Sequence, residues 1–266
     1  MIKRYLALTR IGIMRVIQWR GSLLITFAGN IVYLLIIYNI WRAIYSSSPA
    51  ETVNGMTFTD TMVYLVLAMT IFNVLNIFIV WIMGEDIRSG QMVLDLIKPM
   101  SFRSYTFFST LGGNIVQFFV VFVPTFIIVN IITGGAIAIG LNIFFFLISL
   151  FLAMIIFFFI EFAVGTLCFY TESVWGINIV KETMVLLLSG AMIPIAFFPA
   201  GFRNVVNYLP FQAIYNTPLR ILTEEKMPLN NILQMLFVQL IWVAVFYIAG
   251  GLFWNISIKR ITVNGG

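Results

Sequence analysis

The uncharged run FFFLISLFLAMIIFFFI, residues 144–160, decides the fold class of this chain. A helix needs about 20 mostly apolar residues to cross a hydrocarbon layer of roughly 30 Å. This run is the centre of such a window, at 141–170. Strands of a transmembrane barrel alternate apolar and polar residues, and an unbroken apolar run contradicts that pattern. The stretch therefore predicts a membrane-spanning α-helix.

The composition of the whole chain agrees with this prediction. Of 266 residues, 61% are hydrophobic and only 9% are charged, whereas soluble domains contain about 25% charged residues. The polar stretches are also shorter than the ~50 residues of a small soluble domain. The sequence predicts an all-α membrane protein in which residues 1–266 form a single transmembrane domain.

Six windows are apolar enough to be membrane spans: 22–44, 58–83, 103–133, 141–170, 174–198 and 231–256. Cytoplasmic loops are enriched in Lys and Arg, and this bias sets the orientation. With a cytoplasmic N-terminus, eleven of the 15 Lys and Arg residues lie on the cytoplasmic side and four on the other. Both termini are therefore expected in the cytoplasm.

Several kinds of chemistry are disfavoured by the residues present. The sequence has no histidine, and Cys168 is its one cysteine, so we expect no metal site built from these ligands. The glycine pair Gly84 and Gly90 is followed by Gln91, not by the Lys-Ser/Thr of a phosphate-binding loop. We expect no catalytic residue and no cofactor in this chain. The net charge of +5 is accounted for by basic cytoplasmic edges, without a nucleic-acid partner.

Residues 1–20 form a basic amphipathic pattern ahead of the first span. At a helical period, the polar side chains fall on one arc: Lys3, Arg4, Arg10, Arg15 and Gln18. Apolar residues fill most of the opposite side. The pattern predicts a helix lying in the cytoplasmic interface; the alternative is a poorly ordered basic tail that only sets topology.

A proline-rich segment separates the fifth and sixth spans. Pro194, Pro199, Pro210 and Pro218 forbid one continuous helix, yet the residues between them stay apolar. Short broken helices that re-enter the outer leaflet, over 199–222, satisfy both conditions if protein or water covers the freed backbone.

The loop GEDIRSGQMVLDLIKP, residues 84–99, is a compact cluster of both charge signs between two apolar runs. Glu85 and Asp86 suit the first turn of a helix, Lys98 suits the last turn, and Pro99 would end it. The pattern predicts a short helix parallel to the membrane with a charged outward edge. It is either a docking surface for a soluble partner or a well-capped interfacial loop without one.

Two sequence blocks resemble a known family. The first is Asp86-Ile-Arg-Ser-Gly90 with Leu96-Ile-Lys-Pro99; the second comprises Leu188-Ser-Gly190, Ile193-Pro194, Phe198-Pro199, Leu209-Pro-Phe211 and Pro218. Both are similar to ABC-2 type permeases, the membrane subunits of a class of bacterial ATP-driven exporters. The chain is most similar to the half-size permeases that are often encoded as a pair beside one ATPase.

The resemblance implies a function for the charged loop. It would be a coupling helix seated in a groove of a separate ATPase subunit, which would bind ATP and magnesium. The candidate contact residues are Glu85, Asp86, Arg88, Gly90, Gln91, Asp95, Lys98 and Pro99. The other expected partners are a second permease (the same chain or a homologue), membrane lipids, and a hydrophobic or amphiphilic cargo that is exported. The expected location is the bacterial cytoplasmic membrane.

Three charged residues lie inside predicted spans. Glu161 is ~13 Å from the cytoplasmic end of its window, and Lys181 and Glu182 lie ~10–12 Å into the next window. Equal depth permits a Glu161–Lys181 pair, with Glu182 facing water or another polar group. These residues are either structural or a proton or cation site; the second possibility would make the chain an ion-coupled secondary transporter.

In the resembled family, the first, second and fifth spans of two permeases enclose the export path. The candidate path residues on these spans are Asn30, Tyr33, Asn73, Asn76, Met184, Leu188 and Met192. Amides inside membranes also join neighbouring helices by hydrogen bonds, and methionines also pack in apolar cores, so both structural roles stay open.

Overall fold

Helices make up nearly the whole of this chain. The computed structural model describes residues 2–48, 51–135, 137, 139–171, 174–224 and 226–260. Its helices are α1 (Ile2–Gln18), α2 (Arg20–Ser46), α3 (Phe58–Leu75), α4 (Ile79–Arg88), α5 (Gln91–Leu96), α6 (Phe102–Gln117), α7 (Val123–Ile132), α8 (Leu141–Thr166), α9 (Val174–Leu188), α10 (Ala200–Val206), α11 (Asn216–Thr223) and α12 (Leu229–Ser257). Two short strands, β1 (Thr52–Val53) and β2 (Met56–Thr57), pair in an antiparallel hairpin between α2 and α3.

Within the described residues, five helical stretches are long and apolar enough to cross a membrane: Ile25–Ser46, Phe58–Arg88, Phe102–Ile132, Leu141–Phe169 and Leu229–Arg260. They confirm an all-α, multi-pass membrane protein. The window predicted as a fifth span, 174–198, contains the shorter α9. Its 15 residues are about 22 Å long, and the chain turns at Gly190, where φ is 82°. Six complete spans remain a prediction.

The second span is broken, although the sequence predicted one span over 58–83. α3 ends at Asn76, where φ is −64° and ψ is 109°, and α4 begins only after Phe78, which is also non-helical. No glycine or proline lies at residues 76–78, so the sequence carried no signal for this break. α4 is consequently a separate ten-residue helix.

The helix predicted over 84–99 is divided into two parts. Glu85 and Asp86 lie at the end of α4 and do not begin a new helix, so that prediction was wrong. α4 continues past Gly84 because this residue packs directly on α9: a Cβ there would lie 2.7 Å from Val174 Cγ2. The break falls instead at Gly90, whose φ of 77° a residue with a Cβ adopts only with strain.

The core is centred on α8, whose Phe146, Phe158 and Phe162 are fully buried. Phe102 of α6 stacks on Trp254 of α12 at 5.0 Å between ring centroids, next to Phe162. The third span bends through a π-helical turn, Phe118–Phe122, between α6 and α7. Pro124 follows that turn, and its missing N–H explains why regular α-helical bonding is interrupted there.

The proline-rich segment folds as short pieces: a 3₁₀ turn at Ile195–Phe197, then α10, further turns and α11. Arg203 of α10 donates from Nη2 to the carbonyl oxygens of Ala196 at 2.6 Å and Phe198 at 3.0 Å. One side chain therefore satisfies two of the backbone groups that the prolines leave free. The re-entry of this segment into an outer leaflet stays a prediction.

The helix predicted at residues 1–20 is present as α1, and it packs along α6. The two backbones meet at Gly12 and Gly112: a Cβ on Gly112 would lie 2.1 Å from the carbonyl oxygen of Thr9. The Thr9 hydroxyl donates to the carbonyl of Phe108 at 3.3 Å, and Phe108 stacks on Tyr5 at 4.6 Å. Small residues allow helices in membranes to approach this closely. α1 is thus attached to the bundle, a contact that its amphipathic pattern did not predict.

We predict that Gly112→Ala lowers the thermal unfolding midpoint of the purified protein, since the added methyl group overlaps the α1 backbone. Overpacking of this kind costs about 1–3 kcal/mol. Gly113→Ala is the matched control, because its Cβ would meet only Val16 Cγ2 at an ordinary 3.5 Å. Equal midpoints for the two variants would contradict the close α1–α6 crossing.

Candidate coupling loop and intramembrane site

The end of α4 presents an exposed ion pair. Arg88 Nη2 lies 2.8 Å from Glu85 Oε2, and both side chains are more than half exposed. Exposed pairs of this kind contribute 0–1 kcal/mol to stability. Their charges are therefore available to a partner at little cost to the fold. Asp86, the third charge of this turn, is half-buried beside them.

Two of the predicted contact residues, Asp95 and Lys98, bind each other. Asp95 is buried, and Lys98 Nζ lies 2.5 Å from its Oδ1 and 3.8 Å from the ring centroid of Tyr105 on α6. Burial acts to lower the pKa of Lys98, but its hydrogen bonds to Asp95 and Tyr105 outweigh this effect, and the pKa is raised. The pair fastens α5 to α6; Asp95 is buried within it, and Lys98 stays partly exposed.

The outward side of the loop also carries apolar residues. Leu94 is 54% exposed and Ile97 is 75% exposed, whereas Met92 is buried. Ile97 is exposed because α5 ends at Leu96 and the following turn directs its side chain outward. We define the loop face as the exposed residues Glu85, Arg88, Gly90, Gln91, Leu94, Ile97 and Pro99. Exposed apolar residues among charges are typical of an interaction surface.

The predicted pair between Glu161 and Lys181 is present in the structure. Lys181 Nζ of α9 donates to Glu161 Oε1 of α8, and both side chains are buried. Glu182 is half exposed; its Oε1 lies 4.0 Å from Lys181 Nζ and accepts a hydrogen bond from Asn178 Nδ2 at 2.7 Å. The arrangement fits the structural interpretation of these charges.

Glu161 has a further role that sequence reasoning missed. Its carboxylate also interacts electrostatically with the backbone N–H of Val80. Val80 lies in the first turn of α4, which begins at Phe78 without a side-chain cap of its own. A carboxylate at a helix N-terminus satisfies a free N–H and interacts favourably with the helix dipole. Glu161 therefore caps the broken second span from a neighbouring helix.

The predicted path residues fall into three groups. Asn73 Nδ2 donates to Asn30 Oδ1 at 3.2 Å, so these two amides join α3 to α2. Tyr33 and Leu188 are half-buried, and Asn76 is exposed at the break in the second span. Met184 and Met192, at 45% and 48% exposure, lie on the uncovered side of α9 and the turn after it. The structure does not bring the seven residues together into one cavity of this single chain.

A family model described as ABC-2 family transporter protein matches residues 31–265. The chain belongs to the ABC-2 transporter family. Members of this family are membrane transport components, not enzymes. The match begins within α2, so α1 lies outside it. No curated protein matches this ABC-2 transporter chain.

We predict that Lys181→Met lowers the free energy of unfolding by about 3–5 kcal/mol, because it leaves the Glu161 carboxylate buried without its counter-charge. The double variant Glu161→Gln/Lys181→Met should recover most of this loss, since the neutral Gln needs no counter-charge. Unfolding in mixed micelles measures both effects.

The half-exposed Glu182→Gln serves as the control and should shift stability little. Loss of transport by Glu161→Gln, with normal assembly and stability, would contradict a structural pair and favour an ion site.

Proposed function

We propose that this chain is the permease subunit of an ATP-driven exporter in the bacterial cytoplasmic membrane, with both termini in the cytoplasm. A separate ATPase subunit would bind ATP and magnesium and dock on the loop face. The observation that carries the proposal is the exposed combination of Arg88, Leu94 and Ile97 on one loop of an ABC-2 family chain. Buried apolar anchors beside charged residues are typical of protein interfaces.

α4 connects the loop face mechanically to the interior of the bundle. It is about 15 Å long, and it packs tightly against two neighbours: Gly84 on Val174, and Met83 on Gly165, where a Cβ would lie 2.6 Å from Met83 Sδ. Its other end is the break that Glu161 caps. A displacement of the loop face would therefore move α4 as one body against the charge pair of α8 and α9.

The exposed side of α9 supports a second permease. Glu182 is 51% exposed near the middle of this helix, next to exposed apolar residues that include Val180 and Met184. A carboxylate facing hydrocarbon costs several kcal/mol, so this side of α9 requires protein or water beside it. An interface with a second permease, either a copy or a homologous chain, would enclose a path for hydrophobic or amphiphilic cargo lined by Met184 and Met192.

The ion-coupled alternative has less support from the geometry. Its central carboxylate, Glu161, is buried and already interacts with Lys181 and the Val80 N–H. An ion site would need one of these interactions to break in each cycle.

We predict that Ile97→Asp and Arg88→Glu each weaken association with the ATPase about tenfold, the loss expected from removing one anchor worth about 1.4 kcal/mol. Transport-coupled ATP hydrolysis in proteoliposomes should fall in parallel, while membrane insertion is unchanged. Lys226→Glu, a charge reversal at an exposed residue at the opposite end of the bundle, should have no effect. Unchanged association in Ile97→Asp would contradict docking on the loop face.

We also predict that Val180→Cys cross-links to a second permease in oxidised membranes, because this residue is 59% exposed on α9. The native Cys168 is buried and should not react. Phe119→Cys, 64% exposed on the third span, is the control. A disulfide between two copies of the variant identifies a copy; a homologous second permease is tested by placing a cysteine at the matching position of that chain as well. Cross-linking through Phe119→Cys but not through Val180→Cys would exclude an interface at α9.

A further inference from the structure

A cavity of about 490 Å³ lies at the end of the bundle opposite the loop face. Its walls come from the β1–β2 hairpin, the first turns of α3, the turn at Pro194, α10 and α11. α3 begins at this end and α4 finishes at the loop face, so the two surfaces are separated by the length of the second span. The cavity is distinct from the exposed side of α9 and has the size of a small-molecule site.

Two charged features of the cavity wall, an ion pair and a carboxylate, already have partners in the protein. Arg220 binds Glu224 through two bonds, of 2.5 Å and 3.2 Å. Asp60 accepts hydrogen bonds from the N–H and the hydroxyl of Thr57 at the start of α3. A favourable helix dipole acts on the Asp60 carboxylate as well. Neither group requires a ligand.

Arg203 is the exception. Among the described residues, no carboxylate lies within 4.0 Å of its guanidinium; its acceptors are the neutral carbonyls of Ala196 and Phe198. Its Nε is buried without a hydrogen-bond partner. Among the described residues of the cavity wall, Arg203 therefore has no carboxylate in direct contact with its guanidinium.

The neighbouring groups favour an anion with an apolar tail. The amides of Asn54, Asn207 and Asn216 line the cavity and supply uncharged donors. Val63, Ile137 and Ile195 form an apolar part of the same wall. Arginine with amide donors suits phosphate oxygens, and apolar walls suit the first carbons of an acyl or prenyl chain.

We propose that this cavity binds a phosphate-bearing anionic headgroup, with Arg203 as its counter-charge. The proposal rests on the proposed function, because that function fixes where the cavity lies. In the proposed orientation the cavity faces the outer side of the membrane, where an exported amphiphile would arrive. Phosphate free in solution has the same chemistry, and the experiment below separates the two sources.

The test uses the purified full-length permease in a neutral maltoside detergent, without an ATPase. Three probes are titrated below their critical micelle concentrations: dihexanoyl phosphatidylglycerol, dihexanoyl phosphatidylcholine and inorganic phosphate. The thermal unfolding midpoint reports binding, since a ligand that binds the folded state raises it. Phosphatidylglycerol should give a saturable rise and phosphatidylcholine should not. Saturation by inorganic phosphate alone would assign the site to the free anion.

Two isosteric variants keep the fold while adding a negative charge to the cavity: Asn54→Asp and Asn207→Asp. Asn54 has a φ of 51°, a conformation that Asp also tolerates. Each variant should weaken binding of phosphatidylglycerol about tenfold through repulsion. Asn230→Asp, an exposed position at the same end that does not line the cavity, should leave binding unchanged.

The proposal is overturned if no probe saturates, if phosphatidylcholine binds as well as phosphatidylglycerol, or if Asn230→Asp weakens binding as much as the cavity variants. None of these outcomes tests docking of the ATPase, because the loop face is tested separately, through association with that subunit. Conversely, a permease that fails to bind an ATPase could still bind the headgroup.

Discussion

Backbone groups freed inside an apolar bundle must find partners within the protein, and this constraint explains the arrangement of the polar residues. Hydrocarbon offers no water to an open N–H or carbonyl, and each unsatisfied group costs several kcal/mol. The broken second span meets the constraint through Glu161, which caps α4 at Val80, while Lys181 balances the charge. In the proline-rich segment Arg203 does the same for the carbonyls of Ala196 and Phe198. Charged residues that the sequence alone would suggest for ion transport thus stabilise the free backbone groups at breaks in the helices.

Close packing at glycines gives α4 a fixed position between the loop face and the capped break. Gly84 allows contact with Val174 of α9, and Gly165 of α8 accepts Met83. A short helix packed this way moves as one body, because tightly packed interiors do not deform gradually. Force applied at the loop face would therefore reach Glu161 and Lys181, which connect α4, α8 and α9. The Glu161–Lys181 pair therefore lies where it would influence the energetic cost of moving α4 at the break in the second span.

The two ends of the bundle differ in chemistry in a way that fits vectorial transport. One end presents a small mixed surface, with Leu94 and Ile97 among charges, which suits a folded protein partner. The other end has a cavity whose Arg203 contacts no carboxylate among the described residues, which suits a small anion. Between them, the uncovered side of α9 carries Glu182, a group that requires protein or water beside it.

The sequence alone determined the all-α membrane fold, the broken proline-rich segment and the charged loop, and it permitted the Glu161–Lys181 pair, because hydropathy, proline geometry and helical depth are local properties. The family also followed from local motifs. Tertiary structure decided the break at Asn76–Phe78, since no residue there disfavours a helix and its stabilising cap comes from α8. It also decided which loop residues face outward, because burying Asp95 and exposing Ile97 depend on contacts with α6 and on where α5 ends. The close approach of Gly12 and Gly112 likewise required two helices distant in sequence to be placed side by side.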